Sequence, residues 1–314
     1  MHVQSASLAA SRGTLGCAIV PHGHAVTARM PLTVESVGYL VPAIDPTGWV
    51  HSTFERACNI ACNGTLLTLC TSSAADGPTT LRLAHGPARD LRDLFDIGEV
   101  VRRRDGGMQT SRVELELTHA SVWRPLPRAR LLSSRCIDAH VRHALGRLAQ
   151  CRSTHASVID GEGASVVFAM RDACRALDSE QAVRHAARLV GWGEGLTPAG
   201  DDFLLGLIAG LNALVGDSER RGAFHRLLAA ALNALTPRTT AIAAHYLRLA
   251  AGGHHTEPLV RLRHALLCED DLGAVDAALC AALAVGATSG ADTVSGLLAG
   301  LLAWLPASTT CEVP

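Results

Sequence analysis

One pattern, G-x-D-x-x-x-G-L-[IL]-A-G-L, occurs twice in the chain. Gly200, Asp202, Gly206, Leu207, Ala209, Gly210 and Leu211 line up with Gly290, Asp292, Gly296, Leu297, Ala299, Gly300 and Leu301 at one constant offset. Glycines at i and i+4, as at Gly206 and Gly210, clear one helix face for a second backbone, so their expected role is close packing and not ligand contact. The repeat therefore predicts two similar, buried helices in close contact. Each copy follows a loop that carries glycine and threonine, Gly195-Leu196-Thr197-Pro198 in the first and Gly286-Ala287-Thr288-Ser289 in the second.

The first copy begins in Gly193-Glu194-Gly195-Leu196-Thr197-Pro198-Ala199-Gly200-Asp201-Asp202, where the candidate chemistry concentrates. Pro198 lacks an N–H and holds Thr197 extended, so a helix starts just after it. Gly193, Gly195 and Gly200 let the backbone take positive φ and approach a ligand. A helix N-terminus presents unpaired N–H groups and partial positive charge, which suits phosphate, a carboxylate or carbamoyl phosphate. Asp201 and Asp202 in the first turn already oppose that charge. They read as a general base, as holders of Mg²⁺, as partners of an arginine, or simply as helix caps. In the second copy Ser289 and Asp292 fit an S-x-x-D cap, with lining of the same site as the other reading of Asp292. Thr239 and Thr240 open the helix that carries His245 and Tyr246; capping is their commoner role, and their hydroxyls also suit the pocket.

Composition narrows the chemistry further. All 28 basic residues are arginine, since the chain has no lysine, which excludes a P-loop and Schiff-base chemistry carried by this chain. With a formal net charge of -1, no global field draws it to nucleic acid or an anionic membrane. The ten cysteines, at 17, 58, 62, 70, 136, 151, 174, 268, 280 and 311, form no CxxC or finger-like spacing and are expected as buried free thiols of a reducing cytosol. Arg12 and Gly13 interrupt the only run resembling a secretory leader, and the apolar run Phe203 to Val215 is too short to cross a bilayer. The expectation is a soluble, cytoplasmic protein whose partners are small molecules or other proteins.

Hydrophobic periodicity changes near Trp123-Arg124-Pro125-Leu126-Pro127. Before it, short segments at 64–71, 79–84, 98–103 and 112–118 read as strands. Val113, Leu115 and Leu117 alternate with Glu114, Glu116 and Thr118, and Asp76-Gly77-Pro78 and Asp105-Gly106-Gly107 supply turns. After it, alanine and leucine at helical spacing dominate. Ser179 precedes a helix ending at Gly191, Thr256-Glu257-Pro258 opens another, and Glu269-Asp270-Asp271 opens a third. The predicted fold class is α+β, with an N-terminal β-rich domain over 1–127 packed on a C-terminal α-helical domain over 128–314.

Other motifs point to structure. Gly191-Trp192-Gly193-Glu194-Gly195 follows a helix and is not a dinucleotide fingerprint. His254-His255 falls in an expected loop where solvation is usual, and no HExxH accompanies it. Arg102-Arg103-Arg104 reads as a solvated strand edge, and there is no G-x-S-x-G elbow.

The segment from Gly193 to Leu204 resembles the signature of the AllH family, the AllH-type subunit of oxamate carbamoyltransferase. Supporting similarity runs through Gly77-Pro78, Leu94 to Val101 with Gly98, Trp123-x-Pro125, Arg238-Thr239-Thr240 and the region of Gly253. The resemblance implies a cytoplasmic protein of purine nitrogen breakdown that works with two other kinds of subunit to interconvert carbamoyl phosphate plus oxamate with oxalurate plus phosphate. By that analogy the N–H groups of Gly195 to Gly200 and the Thr197 hydroxyl contact the anion. Asp201, Asp202 and Thr197 are then the candidate catalytic residues. Gly193, Gly195, Leu196, Pro198, Gly200, Thr239, Thr240, Ser289 and Asp292 are the candidate binding residues. No metal is assigned, with Asp201 and Asp202 as its holders if Mg²⁺ is used. The rivals are a stand-alone Mg²⁺-dependent hydrolase and a metabolite-binding regulatory subunit without catalytic groups of its own.

Overall fold

The computed structural model describes residues 29–42, 47–85, 90–127, 129–151 and 162–305. Cys17, Cys311, the Arg12-Gly13 interruption and the side chain of Cys151 lie outside the described residues. The architecture is α+β. All nine strands of one sheet precede residue 124, and helices fill 134–304.

The strands are β1 (Met30–Gly38), β2 (Gly48–Thr53), β3 (Ala57–Cys62), β4 (Thr65–Cys70), β5 (Thr80–Leu83), β6 (Val100–Arg104), β7 (Gly107–Gln109), β8 (Val113–Glu116) and β9 (Ser121–Trp123), with a short helix α1 (Leu91–Leu94) between β5 and β6. They run in the order β5-β4-β3-β2-β6-β7-β8-β1-β9, and β1 also pairs with β5, which closes the sheet into a barrel. β1 achieves this by changing partners along its length: Met30 to Thr33 lie parallel to β8, while Val34 to Val37 lie antiparallel to β5 across a bulge. Closure pairs the outer edge of β5, and among the described strands β9 is bonded to β1 alone. Val34, Val50, Ile60, Leu67, Leu69, Leu81, Val101 and Leu115 fill the interior. Asp105-Gly106 forms a hairpin turn as expected, with Gly106 at φ 77°. Asp76 is instead a buried junction residue, accepting from the Ser36 hydroxyl and from Arg82 Nε at 3.2 Å.

The helices are α2 (Ser134–Cys151), α3 (Glu162–Ala176), α4 (Ser179–Leu189), α5 (Ala199–Ala213), α6 (Glu219–Leu235), α7 (Ala241–Ala251), α8 (Glu257–Cys268), α9 (Leu272–Leu283) and α10 (Ser289–Trp304). α4 is capped by Asp178, whose side chain accepts from Gln181 N, so the start signal lies one residue earlier than the expected Ser179. Asp271 caps α9 through Gly273 N, and Thr256 occupies the N-cap of α8 without a side-chain cap bond. α5 and α10 are apolar around most of their circumference, which fits only a buried position. They form the centre of the domain, flanked by two apolar clusters.

The repeat is a structural one. A Cβ on Gly206 would stand 1.9 Å from Thr293 O, and one on Gly296 would stand 1.9 Å from Phe203 O; Gly210 and Gly300 meet Leu297 O and Leu207 O in the same reciprocal way. Higher-numbered residues meet higher-numbered ones, so α5 and α10 run parallel, related by a pseudo-twofold axis, with backbones touching. The symmetry reaches the preceding helices. Gly200 packs on Leu189 O at the end of α4, and Gly290 packs on Ala282 O at the end of α9.

The barrel and the helical region share polar contacts. His245 on α7 receives Leu66 N–H at Nδ1 (3.3 Å) and lies 3.0 Å from the Thr79 hydroxyl at Nε2. A backbone N–H can only donate, so Nδ1 is the bare nitrogen and Nε2 carries the proton. Burial, aided by Arg248, pushes this histidine down to about 4 and keeps it neutral. At a second joint Glu257 N–H donates to Asp76 O and Asp76 N–H to the Glu257 carboxylate.

Among the described residues the cysteines are unpaired thiols. Cys58, Cys62, Cys70 and Cys174 are buried as expected, whereas Cys280 is exposed. No described helix is long and apolar enough to cross a membrane.

Candidate functional site

Because α5 and α10 are parallel, their N-termini emerge side by side. Neither has a side-chain cap: Pro198 occupies the N-cap of α5 and Thr288 that of α10. The expected Ser289-x-x-Asp292 cap does not form. Ser289 is already helical, and its hydroxyl lies 2.9 Å from the Thr197 hydroxyl of the first copy. The two loops are thus joined across the pseudo-twofold axis.

Beneath that hydroxyl pair lie Asp202, 7% exposed, and Asp292, fully buried. Burial pushes the Asp202 carboxyl up to about 7; the neighbouring Asp292 and Asp201 add to the rise, and the Ser289 and Thr197 hydroxyls oppose it. Its Oδ2 is buried without a hydrogen-bond partner among the described residues. The sequence repeat thus places two carboxyl groups at one end of one helix pair. Tyr246 on α7 faces the same region. Burial raises its hydroxyl, a hydrogen bond to Thr68 on β4 opposes the rise, and Asp202 adds to it. Thr68 donates in turn to Asn59 on β3 at 2.8 Å. The barrel therefore supplies a polar wall that sequence reasoning missed. Tyr246 was legible only as a polar residue on an apolar helix, and Thr68 carried no signal.

Asp201 behaves differently from its neighbour. Its carboxylate accepts Gly191 N–H at 3.1 Å and the Thr239 hydroxyl at 2.5 Å. Burial still raises its pKa against those two bonds. Thr240 caps α7 through Ala243 N and donates its hydroxyl to Leu196 O at 2.5 Å. Thr239, Thr240 and Asp201 therefore clamp the loop to the start of α7 from two sides. Asp201 and Asp202, the holders named if Mg²⁺ is used, turn their side chains to different partners. Among the described residues no three His, Cys, Asp or Glu side chains stand together as a metal site.

The loop itself is exposed from Trp192 to Leu196, with Gly193 and Gly195 at positive φ of 109° and 92°. The backbone N–H groups of Gly193 to Thr197 and of Ala199 have no hydrogen-bond acceptor among the described residues. Gly200 serves another purpose than the expected ligand approach. Its N–H donates to Trp192 O at 2.9 Å, and a Cβ there would strike Leu189 O at 2.0 Å. The expected donor set thus contracts to the loop and Ala199.

Elsewhere, Arg103 reaches Pro42 O at 3.0 Å. His254 pairs with the Tyr39 hydroxyl at 2.7 Å and His255 is buried, so this histidine pair is not the solvated one expected.

A closed β-barrel joined to a helical region, with parallel helix N-termini converging over buried carboxyl groups, defines an α+β protein with a candidate small-anion site. Two family models match the chain: "Oxamate carbamoyltransferase subunit AllH" over residues 189–301 and "AllH family N-terminal domain" over residues 34–122. The chain belongs to the AllH family. No curated protein and no solved structure matches it. The 189–301 match starts at the last residue of α4 and ends within α10, so it contains the candidate loop and both copies of the repeat.

Proposed function

We propose that this chain is a cytoplasmic subunit of an oxamate carbamoyltransferase and that it binds an anionic substrate at the Gly193 to Asp202 loop. The observation that carries this reading is the convergence of two uncapped helix N-termini, joined by Thr197 and Ser289, over the partly unpartnered carboxyl of Asp202. Transfer of a carbamoyl group from carbamoyl phosphate to the oxamate amide nitrogen forms one C–N bond and breaks one C–O bond to phosphate. The step develops negative charge on the carbonyl and phosphate oxygens and releases one proton from the nitrogen. Loop N–H groups aimed at an anion stabilise the charge. A carboxyl with its pKa near 7 is ionised often enough to take the proton and acidic enough to return it in the reverse direction. Thr197 and Ser289 hold that carboxyl in place.

The family description speaks of a subunit, so the partners are other subunits of the same complex. Phosphate-dependent cleavage of oxalurate is measured with the chain alone and with the products of its neighbouring genes. The reading expects turnover that is lost in Asp202→Asn; absence of turnover in every combination overturns it. If Asp202→Asn weakens metabolite binding and leaves the assembled complex at full turnover, the chain is a regulatory subunit instead.

A further inference from the structure

At the other end of α5, about 20 Å from the loop at 1.5 Å per residue, a cavity of about 540 Å³ opens between the barrel and the helical domain. Tyr39 enters it from the barrel, Asn212 and Asp217 from the end of α5 and the turn that follows, and His255, Arg263 and Cys268 from α8 and its approach. Its size suits a small metabolite. None of the residues assigned to the loop site lines it.

We propose that this cavity is a second binding site, taking a small organic acid through the His255 ring and the Arg263 guanidinium. His255 is 5% exposed, yet neither of its ring nitrogens has a hydrogen-bond partner among the described residues. Among the described histidines His140, His185 and His225 each have one buried ring nitrogen without a partner, His245 has three protein partners and His254 has the Tyr39 hydroxyl; His255 alone has both nitrogens buried and unpartnered. A buried polar group left unpaired costs stability, so its retention calls for an explanation outside the protein's own bonds. Burial and the positive charge of Arg263 press the His255 ring down to about 3, so it stays neutral and offers one N–H and one lone pair. The neutral ring N–H and the guanidinium N–H groups that line one cavity are donors of the kind a carboxylate accepts from. On the α5 side the Asn212 carboxamide and the Asp217 carboxylate offer acceptors, so the acid's remaining polar groups are best satisfied as donors.

Cys268 in the wall provides the test, with exposed Cys280 on α9 as its internal reference. The native chain is alkylated with iodoacetate, which carries a carboxylate, or with iodoacetamide, its neutral counterpart, and both sites are followed by peptide mass spectrometry. The iodoacetate-to-iodoacetamide rate ratio is expected to be about tenfold higher at Cys268 than at Cys280, the scale by which a charged cleft concentrates its counter-ion. The Cys268 rate should also saturate with iodoacetate, and His255→Phe and Arg263→Gln should each return the ratio to the Cys280 value. Equal ratios at the two cysteines, a rate linear in iodoacetate, or no reaction of Cys268 with either reagent overturns the proposal. If Arg263→Gln does not fold, the native ratio and His255→Phe decide. Oxalurate cleavage by the complex is not read in this experiment, so failure here leaves the loop assignment standing, and the reverse holds.

Discussion

The two copies of the helix repeat share a frame and differ in what stands over it. Gly200, Gly206 and Gly210 have counterparts in Gly290, Gly296 and Gly300, and these residues pack backbone against backbone. Asp202 and Asp292 are also common to both copies. The connecting segments are not alike: residues 190–198 join α4 to α5, whereas the shorter 284–288 join α9 to α10. Only the first copy has Pro198 and the second aspartate, Asp201, whose counterpart is Ala291. The shared residues therefore build the helix pair, and the unshared ones build a clamped, donor-rich loop on one side of it.

The frame is most severely tested at the glycines. Gly206→Leu and Gly296→Leu each drive a side chain into a facing carbonyl, and each is expected to cost on the order of 3 kcal/mol or more. Urea unfolding should give matched losses; a substitution tolerated at one position alone would break the symmetry. The carboxyl groups come next. The folded-state pKa of Asp202 lies above that of an unfolded aspartate, so the fold retains a proton that the unfolded chain gives up. Stability should then fall as pH rises from about 4 toward 7, by a few kcal/mol at most. Asp202→Asn flattens that slope, and Asp292→Asn, by removing a carboxyl that raises it, moves the slope to lower pH. A slope unchanged in both variants would separate the two carboxyls.

A smaller effect belongs to the unshared aspartate. Asp201→Ala leaves Gly191 N–H and the Thr239 hydroxyl without their acceptor, and is expected to cost about 1–3 kcal/mol. Hydrogen exchange should quicken in 191–197 and stay unchanged in 284–288; equal quickening in both loops would contradict a clamp on the first alone. The smallest effect is the bond between the copies. Thr197→Val and Ser289→Ala should each cost about 1 kcal/mol, and the double variant less than their sum because both remove one contact. Strict additivity would show that the hydroxyls do not couple.

The repeat was legible because small residues at helical spacing are a local property of the chain. The change from strands to helices was legible because the periodicity changes where the barrel ends. Barrel closure was not, since β1 depends on partners distant in sequence and changes from β8 to β5 midway. β3 was not either: Cys58 to Cys62 are buried on both strand faces, so no alternation marks them. Ser289 fitted a capping pattern that a rival partner overrode, because the Thr197 hydroxyl lay across the seam and no local rule contains it. The loop stood out through its glycines and paired acids, yet the separate tasks of Asp201 and Asp202 depended on Thr239, Thr197 and Ser289, each remote in sequence or on another element.

The contact between α5 and α10 also sets the mechanics of the domain. Helices separated by side chains slide past one another by small rotamer adjustments. Here each glycine sits against a carbonyl of the opposite helix at two successive turns, so an axial shift would bring a side chain into the space that a hydrogen atom now occupies. The pair resists shear and behaves as a single stiff strut, with the loops mounted on one end and Asn212 at the other. Rearrangement at either end is therefore left to the loops and flanking helices, while the spacing between the two N-termini stays fixed.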